Sequence, residues 1–471
     1  MASRNSFSRC TAGDPKFWPA YIRHSALACV CAMVFLANMF SAGITTGFAE
    51  LAAEFHVGSS KLVDQIAYPV LALGVGNIIW TPTAICFGKR PTIIVALVLF
   101  LAASIWSVEA KTFESLLAAR VVASFAGGSI DSLGPAVVAG EYLYMERYFA
   151  TAMAIFSLCL SGGSQIGPMI AGYTISAKGW RWFFKICAIL VGANLVLALF
   201  FFPETNYRRI IYEGETALEA DKEAEQKIEY KNQDEEMTRQ PSQAGNKPYA
   251  GSYWRDLWSF GGRGMDDKGL RGWPEQFSLP FRFLAVPHAL YATVAYGVFL
   301  AGAVATSSVM PQLLSPPPYL FTSSALGYFD RRSRDEMHIP ENRMPALIMP
   351  FLIGPPGLLL FAYIINEQKT VYAAACGYAM QISGLVFVPS VVLSVVVDGW
   401  PSTGSEALVL INAGKNLVAF GVVLGISDWL AKEGTVKMFW EIAAIQWAVM
   451  ALGVPLYFFG PWARRRFAWL V

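Results

Sequence analysis

Long apolar runs recur along almost the whole chain, and this repetition limits what the chain can fold into. A helix needs about 20 apolar residues to cross the hydrocarbon core of a bilayer. Runs of roughly that length lie near 25–47, 66–86, 92–109, 115–140, 149–174, 183–202, 284–309, 346–364, 371–397, 406–430 and 437–460. The sequence therefore predicts an all-α polytopic membrane protein with about eleven transmembrane helices.

The composition excludes several classes of function. Charged residues make up 15% of the 471 residues, against about 25% in a soluble protein. A soluble enzyme could not cover its surface, and a net charge of +2 attracts no nucleic acid. The seven cysteines follow no metal-binding spacing and are interpreted as small core residues, and no P-loop occurs. We expect no metal and no cofactor, and no enzymatic activity.

A polar stretch divides the apolar runs into two groups. Residues 203–283 are polar, and within them segment 213–236 has ten acidic residues against three lysines. We interpret this stretch as a solvated cytosolic linker, with a partner-binding segment as the alternative. The predicted organisation is a cytosolic tail (1–24), an N-terminal six-helix half (25–202), the linker (203–283), a C-terminal half (284–461) and a basic cytosolic tail (462–471).

Basic residues indicate that the second half lacks a helix. Lys and Arg favour the cytosolic side of membrane proteins, so the basic loop 330–343 and the arginines at 464–466 should face the cytosol with the linker. Five spans after the linker would place both clusters outside. Residues 311–329 could add a span, but they include four prolines, which remove backbone donors that lipid cannot replace. We expect that one helix is missing and that the second half packs poorly without it.

Several local motifs resemble the major facilitator superfamily, in particular its fungal branch of drug:proton antiporters with twelve spans. Gly88, Lys89 and Arg90 resemble the gating loop of that family, although Ile85 stands where the wider family has an Asp. Residues 119–128 are similar to its Arg-x-x-x-Gly motif, and 203–205 to its Pro-Glu-Thr exit motif. A segment of the fifth run resembles the antiporter signature of that family. It contains Gly163, Gly167, Pro168 and Gly172.

The resemblance implies a two-half helical bundle in which a small organic substrate and protons share a central cavity. It implies transport by alternating access, as a monomer in the plasma membrane, with the lipid bilayer as the surroundings and no nucleic-acid partner. In the family a Gly-Tyr-Phe triplet leads into the eighth helix, whereas residues 327–329 here run directly into Asp330. The missing helix is therefore expected to be the eighth. The alternative is a non-transporting protein of transporter ancestry, either a sensor or a truncated gene product.

Two ionisable residues in the fourth run are candidate cavity residues. Asp131 lies inside the run, where a charge near the bilayer centre costs at least ~2.5–3.5 kcal/mol. Arg120 shares its helix face but lies about 16 Å away along the axis. Asp131 is predicted to bind a proton or cation, and Arg120 to be a coupling residue. The alternative is that both make hydrogen bonds that only hold the bundle together.

Three further polar residues share one face of a later span. Asn412, Lys415 and Asn416 are spaced i, i+3 and i+4, so they line one side of a helix. They are candidate substrate or proton ligands, unless Lys415 instead reaches the membrane interface. For Gly163, Gly167, Gly172 and Pro168 we favour close helix packing and a bend over substrate contact. The aromatic content suits amphipathic or cationic substrates, but aromatic belts at the interfaces explain it equally well.

Overall fold

The structure is a computed structural model that describes residues 20–142, 146–204, 272–314, 340–400 and 404–467. Within these ranges the regular structure is helical and no strand is present. The prediction of an all-α polytopic protein is therefore confirmed. The acidic linker from 205 to 271 and the tail before residue 20 lie outside the described residues, as does the proposed gap next to residues 327–330.

The described helices form two groups, one on each side of the linker. The first group comprises α1 (Ala20–Gly43), α2 (Phe48–Phe55), α3 (Ser59–Phe87), α4 (Lys89–Glu109), α5 (Phe113–Tyr142), α6 (Glu146–Lys178) and α7 (Trp180–Phe201). The second comprises α8 (Trp273–Arg282), α9 (Pro287–Leu314), α10 (Ile348–Asn366), α11 (Val371–Gly399), α12 (Gly404–Ala451) and α13 (Gly453–Phe467). Three 3-10 turns, Ile44–Gly47, Phe283–Ala285 and Pro340–Leu347, join or precede helices.

Nine helical segments among the described residues are long and apolar enough to cross a membrane. The last of them, Ala407–Gly460, is 54 residues long, but Gly434 interrupts it with a φ of 76°. α12 thus consists of two arms, one before and one after Gly434. The sequence predicted two spans in this region, near 406–430 and 437–460. α6 is also 33 residues long, well beyond the bilayer requirement. The number of about eleven spans stays a prediction.

The glycines of the antiporter-like segment lie where α6 packs against α1. A Cβ atom at Gly163 would lie 2.4 Å from the Phe35 carbonyl oxygen, and one at Gly167 would lie 2.8 Å from the Met39 Cα. Small residues let helix backbones approach in lipid, where apolar burial gives little driving force. The helix continues through Pro168. Contact between α1 and α6 is among the most extensive in the molecule.

Replacing Gly167 with Leu should therefore separate α1 from α6. Over-packing of this kind costs about 1–3 kcal/mol, so we expect a lower yield of folded protein and a lower unfolding temperature. Size-exclusion chromatography and thermal unfolding in detergent measure both effects.

Gly421→Leu is the matched control, because nothing lies within 4 Å of a Cβ built at Gly421. If the Gly167 variant and this control unfold at the same temperature, the α1–α6 contact does not depend on the glycine.

Among the described residues, the most extensive seam between the two halves lies between α3 and the first arm of α12. A Cβ atom at Gly74 would lie 3.0 Å from the Asn416 Cβ and 3.1 Å from the Ala413 carbonyl oxygen. Further along, the Tyr68 and Phe420 rings are 5.8 Å apart. As residue numbers rise on α3 they fall on α12, so the two helices are antiparallel.

The two ends of the bundle can be identified from contacts near the linker. The end that includes Gly88, Glu204 and Trp273 is called the linker end, since Trp273 Nε1 donates to Thr83 Oγ1 over 3.3 Å near the end of α3. Phe283 and His288 contact Trp400 there, at ring distances of 6.4 and 5.4 Å.

The helices α9 and α10 begin at the same end of the bundle. Tyr291, in the first turns of α9, lies within 2.6 Å of a Cβ built at Gly453, and Leu347 lies within 3.7 Å of the same point. α10 starts directly after Leu347, and its last residues lie near the Gly434 turn, where Trp440 Nε1 donates to the Tyr363 hydroxyl over 3.1 Å. α9 and α10 therefore run in the same direction. Gly453, the first residue of α13, therefore lies at the linker end. Five spans in simple alternation after the linker would place it at the opposite end.

Residues near the C-terminus should therefore be labelled from the same side of the membrane as α8. We expect cysteines at Trp462, which is 65% exposed, and at Glu275 to react with an impermeant maleimide only after permeabilisation. A cysteine at Glu433, beside the Gly434 turn, should react in intact cells. The seven native cysteines would first be replaced.

Reaction of Trp462→Cys in intact cells, together with Glu433→Cys, would place α13 at the opposite face. It would then support the alternative in which five spans follow the linker in simple alternation.

Candidate functional site

Asp131 and Lys415 form an ion pair between the two halves. Asp131 lies on α5 of the first half and Lys415 on the first arm of α12. The Lys415 Nζ is 3.9 Å from the Asp131 Oδ2, and the side chains of Lys415 and Asp131 are 7% and 8% exposed, respectively. Burial removes the hydration of both charges, so each depends on nearby partners for compensation. Two of the predicted site residues are thus brought together from opposite halves.

Lys415 has a second partner, Tyr296 on α9. Its Nζ donates a hydrogen bond to the Tyr296 hydroxyl over 3.1 Å. The same nitrogen lies 4.3 Å from the centroid of the Tyr296 ring, which is within the range of a cation–π interaction. Lys415 therefore does not extend to the membrane interface, and its ammonium group is held in the interior.

Asp131 is less well satisfied than Lys415. Its Oδ1 is buried and has no hydrogen-bond partner among the described residues. A buried carboxylate with one oxygen unpaired is costly in its charged form. The surroundings therefore stabilise the charged form of Asp131 less well than the charged form of Lys415.

Asn412 and Asn416 lie beside the pair, at the seam with α3. They are 7% and 3% exposed, and the Asn416 Nδ2 donates to the Asn412 carbonyl oxygen over 2.9 Å. This amide donor is therefore used within α12 itself. The common face predicted from the spacing exists, and Gly74 brings α3 against it. A role in substrate or proton binding stays a prediction.

Arg120 lies away from the ion pair, in the interior of the first half. It is completely buried, and it donates to the Gln65 carbonyl oxygen and, over 2.7 Å, to that of Ser41. It thus links α5 to α3 and α1 by charge-assisted hydrogen bonds. These contacts match the packing alternative that the sequence left open, and its predicted coupling role remains untested.

The gating-like loop contacts the exit motif at the linker end. Gly88 has a φ of 102°, and α4 begins at the next residue. The two carboxylate oxygens of Glu204 accept hydrogen bonds from the Lys89 and Arg90 amides, over 3.0 and 3.1 Å. The Arg90 Nη2 donates to the Leu199 carbonyl oxygen over 3.0 Å. A carboxylate at a helix N-terminus is stabilised by the helix dipole and by free amides.

The sequence matches a known protein family. The family model of the Major Facilitator Superfamily matches residues 30–463. The chain belongs to this superfamily. It is 28% identical over 198 residues to the cycloheximide resistance protein of Candida maltosa, which covers 41% of this chain and 36% of that protein. It is 22% identical over 453 residues to the efflux pump FUBT of Fusarium oxysporum, covering 92% and 69%.

The solved structures show the same superfamily fold. The Escherichia coli xylose transporter XylE superposes with a TM-score of 0.62 at 14% identity, covering 92% of this chain and 97% of that one. The chain is thus an integral membrane protein of a transporter superfamily rather than of an enzyme family. It matches little more than a third of the length of the Candida maltosa relative.

Two contacts in this superfamily fold were not predicted from the sequence. One joins Tyr296 to Lys415, and the other joins Tyr378 to Gln165. Tyr296 is one of 19 tyrosines, and nothing in its neighbourhood marked it, although an intramembrane Lys calls for a partner on a facing helix. Gln165, inside the antiporter-like segment, accepts a hydrogen bond from the Tyr378 hydroxyl of α11 over 3.4 Å. This contact also joins the two halves.

Glu204 should stabilise the linker end of this superfamily member through the start of α4. Glu204→Ala removes both hydrogen bonds to the Lys89 and Arg90 amides, and losing a helix N-cap costs about 0.5–2 kcal/mol. We expect a lower unfolding temperature in detergent. Glu433→Ala, an acidic residue at the opposite end, is the control. Equal unfolding temperatures for the two variants would show that the Glu204 contact contributes nothing to stability.

Proposed function

We propose that the chain is a proton-coupled secondary transporter that moves small organic molecules across the plasma membrane by alternating access. The observation that carries this proposal is the buried Lys415–Asp131 ion pair. It connects two helical groups that an alternating-access mechanism would move relative to each other. The proposed partners are a small organic substrate and protons, and the proposed working unit is the monomer.

The ion pair provides a way for a proton to influence the relative position of the halves. Two unit charges about 4 Å apart attract by about 4 kcal/mol at an effective dielectric constant of 20. A proton on Asp131 removes this attraction, and a change of that size shifts a two-state equilibrium by about a thousandfold. Protonation of Asp131 therefore favours separation of α5 from α12, and deprotonation favours their contact.

The relatives suggest what kind of substrate to test first. One is named for cycloheximide resistance and another as an efflux pump, so we propose outward transport of small organic compounds against inward proton flow. Cycloheximide is a suitable first probe. Resistance of cells that express the chain would be compared with proton release or uptake in proteoliposomes.

Asp131→Asn should abolish proton-dependent transport while the protein still inserts and folds. The amide keeps the size of the side chain but cannot exchange a proton. Proteoliposomes with an imposed pH gradient, labelled cycloheximide and an internal pH dye measure substrate and proton movement together. We expect at least a tenfold loss of the gradient-driven rate.

Glu433→Gln, in the turn at Gly434, is the matched control and should transport at the normal rate. Gradient-driven transport by Asp131→Asn at the normal rate and pH dependence would remove Asp131 from the mechanism. Absence of any transport or binding by the unmodified chain, across a panel of organic compounds, would favour the non-transporting alternative.

A further inference from the structure

Lys415 divides its contacts unequally between the two halves. It makes two contacts with Tyr296 in its own half, a hydrogen bond of 3.1 Å and a ring contact of 4.3 Å. It makes a single contact with Asp131 in the other half, at 3.9 Å. The ammonium group is therefore positioned chiefly by the second half.

Tyr296 is fixed relative to Lys415 by the packing of α9 on α12. Gly297, the next residue, would place a Cβ 2.7 Å from the Val418 Cβ and 3.2 Å from the Lys415 Cα. The two helices are among the most extensively packed in the protein. A movement between the halves that breaks the contact with Asp131 would thus leave the contact with Tyr296 in place.

We propose that Tyr296 is a positioning residue that keeps Lys415 charged and in place while the halves are apart. This inference rests on the proposed function and assigns the change of charge to Asp131. After separation, Lys415 retains a hydrogen-bond acceptor and an aromatic face. Asp131, whose Oδ1 has no partner among the described residues, loses its counter-ion and takes up a proton on its carboxylate.

Other titratable groups lie too far along their helices to replace Tyr296 in this role. Within the described residues, the ionisable side chains in contact with Lys415 are Tyr296 and Asp131, and the ionisable side chain in contact with Asp131 is Lys415. On the packed helices α3, α5 and α9, the remaining charged or titratable side chains are at least one helical turn from Gly74, Asp131 or Tyr296. They include Lys61, Asp64, Tyr68, Arg120, His288 and Tyr291.

A thiol at the seam can report separation of the halves without any substrate. Ala413 is 6% exposed and lies against Gly74, so Ala413→Cys should react with N-ethylmaleimide only when α3 and α12 part. In full-length protein whose native cysteines are replaced, we expect the labelling rate to rise as the pH is lowered. Protonation of Asp131 is the reason for that rise.

Without Tyr296, Lys415 should depend on Asp131 alone. Its ion pair with Asp131 should then hold the two halves together more strongly. A hydrogen bond to a charged group corresponds to about a tenfold change or more in an equilibrium. We expect Tyr296→Leu to label about tenfold more slowly and to need a lower pH. Tyr296→Phe, which keeps the ring, should fall between Leu and the parent. It also provides a measurement if the Leu variant fails to fold.

The decisive variant combines Tyr296→Leu with Asp131→Asn. Without a negative partner, Lys415 no longer holds the halves, so fast labelling should return and should no longer depend on pH. A purely structural role of Tyr296 would leave the double variant as slow as the single one. Tyr291→Phe, which removes a hydroxyl near Gly453 on the same helix, is the control and should label like the parent.

The outcomes separate this inference from the proposed function. Normal labelling of Tyr296→Leu and Tyr296→Phe, or no recovery in the double variant, would overturn the role of Tyr296 even if transport is proton-driven. The expected labelling pattern, together with absence of proton-driven transport in proteoliposomes, would support the role of Tyr296 and overturn the proposed transport function.

Discussion

The hydrocarbon core of a bilayer offers no hydrogen-bond partners, and this constraint governs both the backbone and the polar side chains of the protein. Backbone amides and carbonyls must be paired within the chain, which leaves helices as the form that a span of this composition can take. Because lipid is as apolar as the side chains, the helices associate by close packing. Gly167 against α1 and Gly74 against α12 are two of the places where elements distant in sequence pack closely.

The same constraint determines how the buried charges are arranged. Arg120 is satisfied by carbonyl oxygens of two neighbouring helices, and this arrangement is confined to the first half. Glu204 is satisfied by amides at the start of α4. Lys415 differs from both, because one of its partners lies across the seam. A charge compensated within one rigid group stabilises that group, whereas a charge compensated across two groups makes their separation depend on protonation.

Much of the fold could be predicted from the sequence because the relevant signals are local. Apolar runs of bilayer length located the helices, and the acidic segment 213–236 located the division into halves. Helix ends were less predictable, since α3 begins at Ser59, seven residues before the run near 66–86. Polar residues such as Lys61 continue a helix beyond the hydrocarbon region, and composition does not record where the last hydrogen bond forms.

The site could be predicted only in part, because its geometry depends on long-range pairing. Asp131 and Lys415 each stood out as ionisable residues in apolar runs, but nothing local shows that they meet. Their proximity depends on the antiparallel contact of α3 with α12. Tyr296 gave no signal because tyrosine is common in this chain. The signal from Arg120 left coupling and packing both open, because a buried guanidinium and a cavity-lining one look alike in sequence.

The parallel orientation of α9 and α10 has a consequence for biosynthesis. Hydrophobic segments normally enter the membrane in order as they leave the ribosome, and each reverses the orientation of the one before. α10 repeats the orientation of α9, so alternation between these two described helices alone does not account for the orientation of α10. At its two ends α10 lies beside residues that are synthesised later, Gly453 near its start and Trp440 near its end. Packing of α10 is therefore completed only after both of those later segments have been made.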